Sequence, residues 1–313
     1  MSQDSDISWQ VLRSIVRPTF GPAVELEQVQ PLVGGCVNTT LALHLSDGRR
    51  AVVKIAPHRV THAFVDEAHQ LGVLRDAGVP VPRVYDAQVG SLDAPHSYIL
   101  MEFVDGVDLA QAKEHCSADE YDGVQRELAE LVWRAHACRG EAYGRVLGDP
   151  ARCACHATWP AFYRETYDAI WRQVEKSAVL PVKCRKTIGK IHERLDRLLA
   201  HADCPRLVHW DLWSANVLVQ RDPTTDRMAI AAIIDPNCKY AHAEAELAYL
   251  ELFHTVTPAF KQAYQQHHHV NGEYHNVRRP IYQLYELLNH VLLFGQEYVP
   301  RTVATVERLA HVV

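Results

Sequence analysis

Residues 207 to 218 read Leu-Val-His-Trp-Asp-Leu-Trp-Ser-Ala-Asn-Val-Leu, and this stretch restricts the fold more tightly than any other. Leu207-Val208 and Val217-Leu218-Val219 read as short strands, so the residues between them form a loop held at both ends. The loop sets His209, Asp211 and Asn216 in the order H-x-D-x-x-x-x-N. That spacing suits phosphoryl transfer, where a carboxylate receives the proton of an attacking hydroxyl and a carboxamide oxygen reaches a metal ion on nucleotide phosphates. A charged turn from Gln220 to Arg227 leads to a second apolar strand, Ala231-Ala232-Ile233-Ile234, which ends at Asp235 and Pro236. A carboxylate at the end of a buried strand is costly unless a cation meets it. His, Asp and Asn also favour plain turns through local hydrogen bonds, but the tandem arrangement and its strand context favour chemistry.

The chain has 313 residues, 48% hydrophobic and 22% charged, which is ordinary globular composition and suggests about two domains or lobes. A formal net charge of -6 supplies no general basic field, so neither nucleic acid nor an anionic membrane is expected as principal partner, and a cationic or neutral small substrate fits better. The polar, acidic start Met1 to Asp6 does not read as a secretory signal, and no segment approaches twenty uninterrupted apolar residues, so a cytoplasmic location is expected. Eight scattered cysteines read as reduced thiols. Cys153-Ala-Cys155-His156 lacks a second ligand pair at zinc-finger spacing, and His267-His268-His269 reads as a solvated helix end.

The organisation follows from changes in hydrophobic period. Up to Val104 the pattern is mostly strands with one helix. Ala42 to Leu45 and Ala51 to Ala56 flank Ser46-Asp47-Gly48-Arg49, a turn suited to a tight hairpin, and a further strand is placed near Val29. A helix from Thr61 to Asp76 is stopped by Gly78 and Pro80, and Val81 to Ala87 and Tyr98 to Phe103 read as strands. Beyond Asp105-Gly106 the pattern is mainly helical, apart from the strands that present Asp211 and Asp235. Amphipathic stretches run over Asp119 to His136, Trp159 to Lys176, Val182 to Ala200, Glu244 to Phe253, Arg279 to Glu297 and Val303 to Val312. The expectation is an α+β chain of two lobes, 1–104 rich in strands and 105–313 mainly helical, with a cleft between them.

Lys54 lies within Ala51 to Ala56, where strand alternation sends it to the same face as Val52, so it needs an anionic partner. On the following helix Glu67 sits beside the apolar stripe Phe64, Ala68, Leu71 and Leu74. It is either an edge residue reaching water or the mate of Lys54, and the ion pair is favoured. Gly34-Gly35 allows close backbone approach to a phosphate, or is a plain turn. Ser97 to Gly106 reads as a buried strand leaving between the lobes; Glu102 and Val104 could offer backbone to an adenine, with Met101 packed behind.

These residues resemble the fructosamine (ketosamine) kinase family, within the protein-kinase-like group that includes aminoglycoside and choline phosphotransferases. The resemblance covers nearly the whole chain. It is carried by Gly34-Gly35-Cys36, Val53-Lys54 with Glu67, Thr158 to Tyr163, His209 to Val217, Asp235-Pro236, Ala243 to Ala248, Tyr282 to His290 and Phe294 to Tyr298. It implies a two-lobed protein-kinase-like fold and transfer of the γ-phosphoryl of ATP to a sugar hydroxyl of a ketosamine. In the implied site Asp211 is the base, Asn216 and Asp235 hold Mg2+, and Lys54 lies on the phosphates. Trp213 and His290 line the sugar pocket or, alternatively, belong to the core. Glu246 braces the loop, and Cys36 is a redox candidate. Trp210 and Ala215 depart from positions where Gly is common, and the segment between Gly106 and Trp159 departs most. The expected partner is an amine-linked sugar or a glycated amino acid or protein. Three rivals remain: a phosphotransferase for an aminoglycoside, choline-like or other amino-alcohol acceptor, a catalytically silent nucleotide-binding protein, and a metal-binding protein using its cysteines and histidines.

Overall fold

The computed structural model describes residues 7–32, 39–56, 60–91, 94, 96–200 and 204–312. Gly34, Gly35 and Cys36 lie outside the described residues. The chain opens with a helix that the sequence reading lacked, α1 (Trp9–Phe20), so two helices rather than one accompany the first sheet. Pro18 inside the helix obscures the pattern, but Ser8 caps the start and Leu12, Ile15, Val16 and Phe20 form a buried stripe at helical spacing.

Strands β1 (Leu26–Pro31), β2 (Thr39–Leu45) and β3 (Arg50–Ala56) lead to helix α2 (Ala63–Asp76), and β4 (Val84–Gln88) and β5 (Ser97–Glu102) complete an antiparallel sheet of order β1-β2-β3-β5-β4. Pro80 and Pro82 keep the first residues of the expected Val81 to Ala87 strand out of the ladder, so β4 starts at Val84. Strand alternation then sorts the core. Val53, Ile55, Tyr98 and Leu100 pack with the α1 stripe on one face. Val52, Ala56, Ile99 and Met101 pack with Phe64 and Leu71 of α2 on the other. Lys54, in phase with Val52, is thereby delivered to the α2 face. At the end of α2, Gly78 adopts φ 79°, with Gly78 N–H donating to the Arg75 carbonyl and Val79 N–H to that of Leu74. These are the two bonds of a Schellman cap, with Val79 and Leu74 in the same core.

Gly106 follows the last strand of the first sheet. At φ 151°, a Cβ there would lie 2.8 Å from the Val219 carbonyl oxygen, so only glycine fits without movement. Next come β6 (Val107–Asp108), α3 (Leu109–His115), α4 (Ala118–Ala137), β7 (Gly144–Arg145), α5 (Trp159–Ser177), α6 (Val182–Glu193) and α7 (Leu195–Leu198). Ser117 and Glu120 form a capping box at α4. The expected Val182 to Ala200 helix is two helices, interrupted at Arg194.

Strands β8 (Arg206–Val208), β9 (Val217–Arg221), β10 (Met228–Ile233) and β11 (Lys239–Ala241) follow. They form two small sheets, β10-β9-β6 and β7-β11-β8. The strands bracketing the His209 to Asn216 loop thus belong to different sheets, and the loop is stretched between them. Helices α8 (Ala243–Leu252), α9 (Pro258–Tyr264), α10 (Arg279–Phe294) and α11 (Val299–Leu309) close the chain. Gly295 at φ 69° ends α10 three residues before the expected Glu297. The architecture is the expected two-lobed α+β fold. Among the described residues no helix is long and apolar enough to cross a membrane.

Candidate active site

Lys54 Nζ meets Glu67 Oε1 at 2.6 Å and also contacts Asp235, so two carboxylates distant in sequence share one cation. Burial alone would lower the Lys54 pKa, but the carboxylates of Glu67 and Asp235 outweigh it and hold the ammonium above the usual lysine value. Burial, together with the Asp235 charge, pushes Glu67 up against the opposing effect of Lys54. One lysine between two carboxylates leaves one negative charge over when all three are ionised, which suits an additional cation. Asp235 sits at φ 57°, a left-handed conformation that turns the chain out of β10.

Helix α2 is fixed in place by Glu67's neighbours. Asp66 accepts a bond from Gly148 N–H at 2.9 Å and from Arg152 Nη1 at 3.0 Å. Buried Gln70 donates to the Val146 carbonyl at 2.8 Å and accepts from Cys238 N–H at 3.1 Å. The segment 146–152 and the chain just beyond Asp235 therefore clasp the helix that carries Glu67. None of these contacts was readable from local pattern, because the partners lie 76 to 168 residues apart.

The loop between β8 and β9 is set by its backbone. Buried His209 is kept neutral by burial, which lowers its pKa against nearby carboxylates; its Nε2 donates to the Ile234 carbonyl at 3.0 Å and its Nδ1 accepts from Asp211 N–H at 3.3 Å. Trp210 adopts φ 68°, which accounts for the fitness of glycine there and makes a tryptophan strained. Its N–H is held by Glu246 Oε1 at 2.7 Å, and Glu246 Oε2 lies 2.8 Å from His136 Nε2. Burial would raise the Glu246 carboxyl, but the hydrogen bond and charge from His136, with His209 and the Trp210 amide, bring it below the ordinary value. Glu246 thus touches the loop from beneath.

Asp211 Oδ1 accepts a hydrogen bond from Tyr249 at 2.6 Å. Tyr249 was not anticipated, although it lies three residues after Glu246 on α8 and so shares its face. Asn216 is buried, and its amide nitrogen donates to the Asp211 carbonyl at 2.8 Å. This orients the carboxamide so that its oxygen is left for another partner. Asn216 and Asp235 are thus hard oxygen donors beside a site with surplus negative charge, which fits magnesium.

Asp211, Trp213 and His290 line one cavity of about 870 Å³. Trp213 is exposed, not core, whereas His290 is partly buried among Phe253, Phe294 and Tyr298 and bonds the Glu286 carbonyl at 2.8 Å. Burial lowers the His290 pKa, which leaves a neutral ring. Trp210, Lys239, Tyr285 and Glu286 line the same cavity and were not predicted as a group. On the sheet side, Met101 is buried behind the α2 face. Glu102 donates its N–H to the Arg83 carbonyl at 2.8 Å, while Val104 follows in the irregular segment that leads to Gly106.

Residues 8–311 match the family model for fructosamine kinase. A protein-ribulosamine 3-kinase, chloroplastic, of Oryza sativa subsp. japonica is 27% identical over 90% of this chain and 78% of its own length. The "Probable ketoamine kinase YniA" of Escherichia coli (strain K12) is 27% identical over 96% of this chain and 99% of its own. Among solved structures, a candidate fructosamine-3-kinase of Thermobifida fusca YX-ER1 superposes with a TM-score of 0.75 at 24% identity, covering 96% of this chain and 99% of the other. Aminoglycoside phosphotransferase APH(4)-Ia, in complex with ADP and hygromycin B, superposes at 0.66 with 16% identity, covering 96% and 97%. At these identities the two structures establish the shared fold. The match over residues 8–311 places the chain in the fructosamine kinase family, and it is a phosphotransferase acting on a sugar hydroxyl.

Proposed function

We propose that this protein transfers the γ-phosphoryl group of ATP to a sugar hydroxyl of a ketosamine, an amine-linked deoxyketose. The observation that carries the reading is the position of Asp211. It lies on the wall of a cavity that Trp213 and His290 also line, while Asn216, hydrogen-bonded to it, leads through β9 and β10 to Asp235 and Lys54. The related proteins bear ketoamine and ribulosamine kinase names, which supports an acceptor of this class.

Asp211 acts as the base. Tyr249 holds Oδ1, so Oδ2 is the oxygen left to accept the proton of an incoming hydroxyl as it attacks. Lys54, positioned by Glu67, neutralises charge on the α and β phosphates. Magnesium, when bound by Asn216 and Asp235, supplies Lewis-acid stabilisation of the phosphoryl oxygens. The proposed adenine position is against β5, with Met101 behind it and the backbone of Glu102 and Val104 as its polar partners; Gly34-Gly35, expected at the phosphates, lie outside the described residues. We set the boundary between nucleotide lobe (1–104) and catalytic lobe (105–313) just before Gly106. The seven described cysteines are free thiols, which suits a reducing cytoplasm.

The test is mass spectrometry of magnesium-ATP reactions with fructosyl-lysine, ribulosyl-lysine and an aminoglycoside panel, with Asp211→Asn as control. Gain of one phosphate on a ketosamine, lost in the variant, is the expected result. Transfer only to an aminoglycoside replaces the acceptor, and transfer that persists in Asp211→Asn removes the assigned base.

A further inference from the structure

The wall of the acceptor cavity has a charge arrangement that the overall charge of -6 does not suggest. Lys239 of β11 lines the cavity and is 5% exposed. Its ammonium has the Asn237 carbonyl at 3.5 Å and the face of the Trp210 ring at 4.0 Å. Among the described residues no carboxylate stands within ion-pair distance of it. An ammonium carries three donors, and one long contact with a π face leaves it under-satisfied in a place where a charge is expensive.

Arg145 stands directly opposite. It is the cross-strand partner of Lys239 in the pairing of β7 with β11, and residues so paired project to the same face of a sheet. Arg145 also lines the cavity, and among the described residues it too has no ion pair. Like charges in opposed positions destabilise a strand pair, unless an anion lies between them. Glu286 of α10 lines the cavity on the facing helix; burial pushes its carboxyl up to about 8 against the opposing charge of Lys239, and it is in ion-pair contact with neither Lys239 nor Arg145.

We infer that Lys239 and Arg145 form an anion subsite within the acceptor cavity, and that the acceptor carries an anionic group besides its sugar. This inference rests on the reading of the cavity as the ketosamine site. The shared chemistry is a carboxylate or a phosphate monoester. A sugar attached to the amine of a free amino acid places a carboxylate one carbon from that amine, and a sugar phosphate carries its anion at the other end. Under-satisfied donors on a rigid sheet recognise such a group at little conformational cost.

The test uses fructosyl-glycine, fructosyl-glycinamide and the 6-phosphate of fructosyl-glycinamide, each followed by steady-state kinetics and by calorimetric binding to the full chain. The expected result is a kcat/KM at least about tenfold higher for one anionic compound than for fructosyl-glycinamide, mostly in KM. That ratio collapses toward one in Lys239→Met and falls in Arg145→Gln, an exposed position where folding is not at risk. Preference for fructosyl-glycine identifies the carboxylate, and preference for the phosphorylated compound identifies the phosphate. If neither anionic compound binds better than fructosyl-glycinamide, the subsite is overturned, whatever the turnover. If an anionic compound binds with the expected preference but none of the three is phosphorylated, the subsite stands and the ketosamine reaction fails.

Discussion

Replacing Glu246 tests how the loop between β8 and β9 is supported. The side chain is 2% exposed and holds two partners, the Trp210 amide at 2.7 Å and His136 Nε2 at 2.8 Å. Glu246→Ala leaves both buried groups without a partner, each at about 1–3 kcal/mol, and releases the anchor of a tryptophan in a left-handed conformation. The expected loss is about 4 kcal/mol, a large part of a total stability of about 5–15 kcal/mol. Glu246→Gln keeps an oxygen for the Trp210 amide and retains His136 if the imidazole exchanges its proton between nitrogens. Tyr264, 2.6 Å from Nδ1, can accept or donate to suit. That variant therefore loses about 1.5 kcal/mol, the charge-assisted part. The assay is urea unfolding followed by tryptophan fluorescence, with the exposed Glu114→Ala as reference. The pH dependence has a definite sign. The folded carboxyl lies below its ordinary 4.5, so its contribution is present above that pH and is lost as pH falls through the lower folded value. The gap between wild type and Glu246→Ala should narrow on acidification below 4.5. A Glu246→Ala midpoint equal to that of Glu114→Ala would refute the bracing argument.

Four further outcomes are expected. Tyr249→Phe frees Asp211 Oδ1 and should lower kcat by about tenfold with the KM for ATP unchanged, as read by coupled ADP release; an unchanged kcat dissociates Tyr249 from turnover and counts against the proposed role of Asp211. Gln70→Ala leaves the Cys238 amide unpaired and loosens the helix that bears Glu67, so both stability, by about 2 kcal/mol, and kcat should fall; loss of stability alone would make Gln70 merely structural. Gly106→Ala meets the Val219 carbonyl oxygen at 2.8 Å and should cost about 2 kcal/mol or more, whereas Gly48→Ala, at φ 83° with open space around it, should cost about 1 kcal/mol in the same unfolding assay. Glu286 and Lys239 bias stability in opposite directions: the raised carboxyl makes stability fall with rising pH between about 4.5 and about 8, while the lowered ammonium makes it rise with pH below 10.5. Lys239→Met should therefore expose a fall of up to about 1.4 kcal/mol per pH unit in the lower window, and a flat profile in that variant would contradict the raised Glu286.

Much of the fold was legible because it repeats along the chain. The alternation of β3 put Lys54 on one face, the stripe of α2 put Glu67 beside it, and the two meet at 2.6 Å. The helix that went unread, α1, has the same kind of stripe, but Pro18 within it argued for a break. The break at Arg194 and the delayed start of β4 show the limit of period arguments at element boundaries.

What the sequence determined by itself was therefore the local chemistry: H-x-D-x-x-x-x-N between strands, an Asp ending a second strand, a lysine in phase with a core face, and a Glu on the next helix. Spacing of a few residues is enough for these, because strand and helix periods settle which way each side chain leaves the backbone. Only the tertiary structure decided that Asp235 joins Lys54 across 181 residues, that Asp66 and Gln70 clasp α2, that Tyr249 holds Asp211, and that Lys239 faces Arg145 on the wall of the same cavity as Asp211. Those contacts arise where separate sheets and helices close on each other, and a buried polar group chooses its partner by proximity in the folded chain rather than by distance along it.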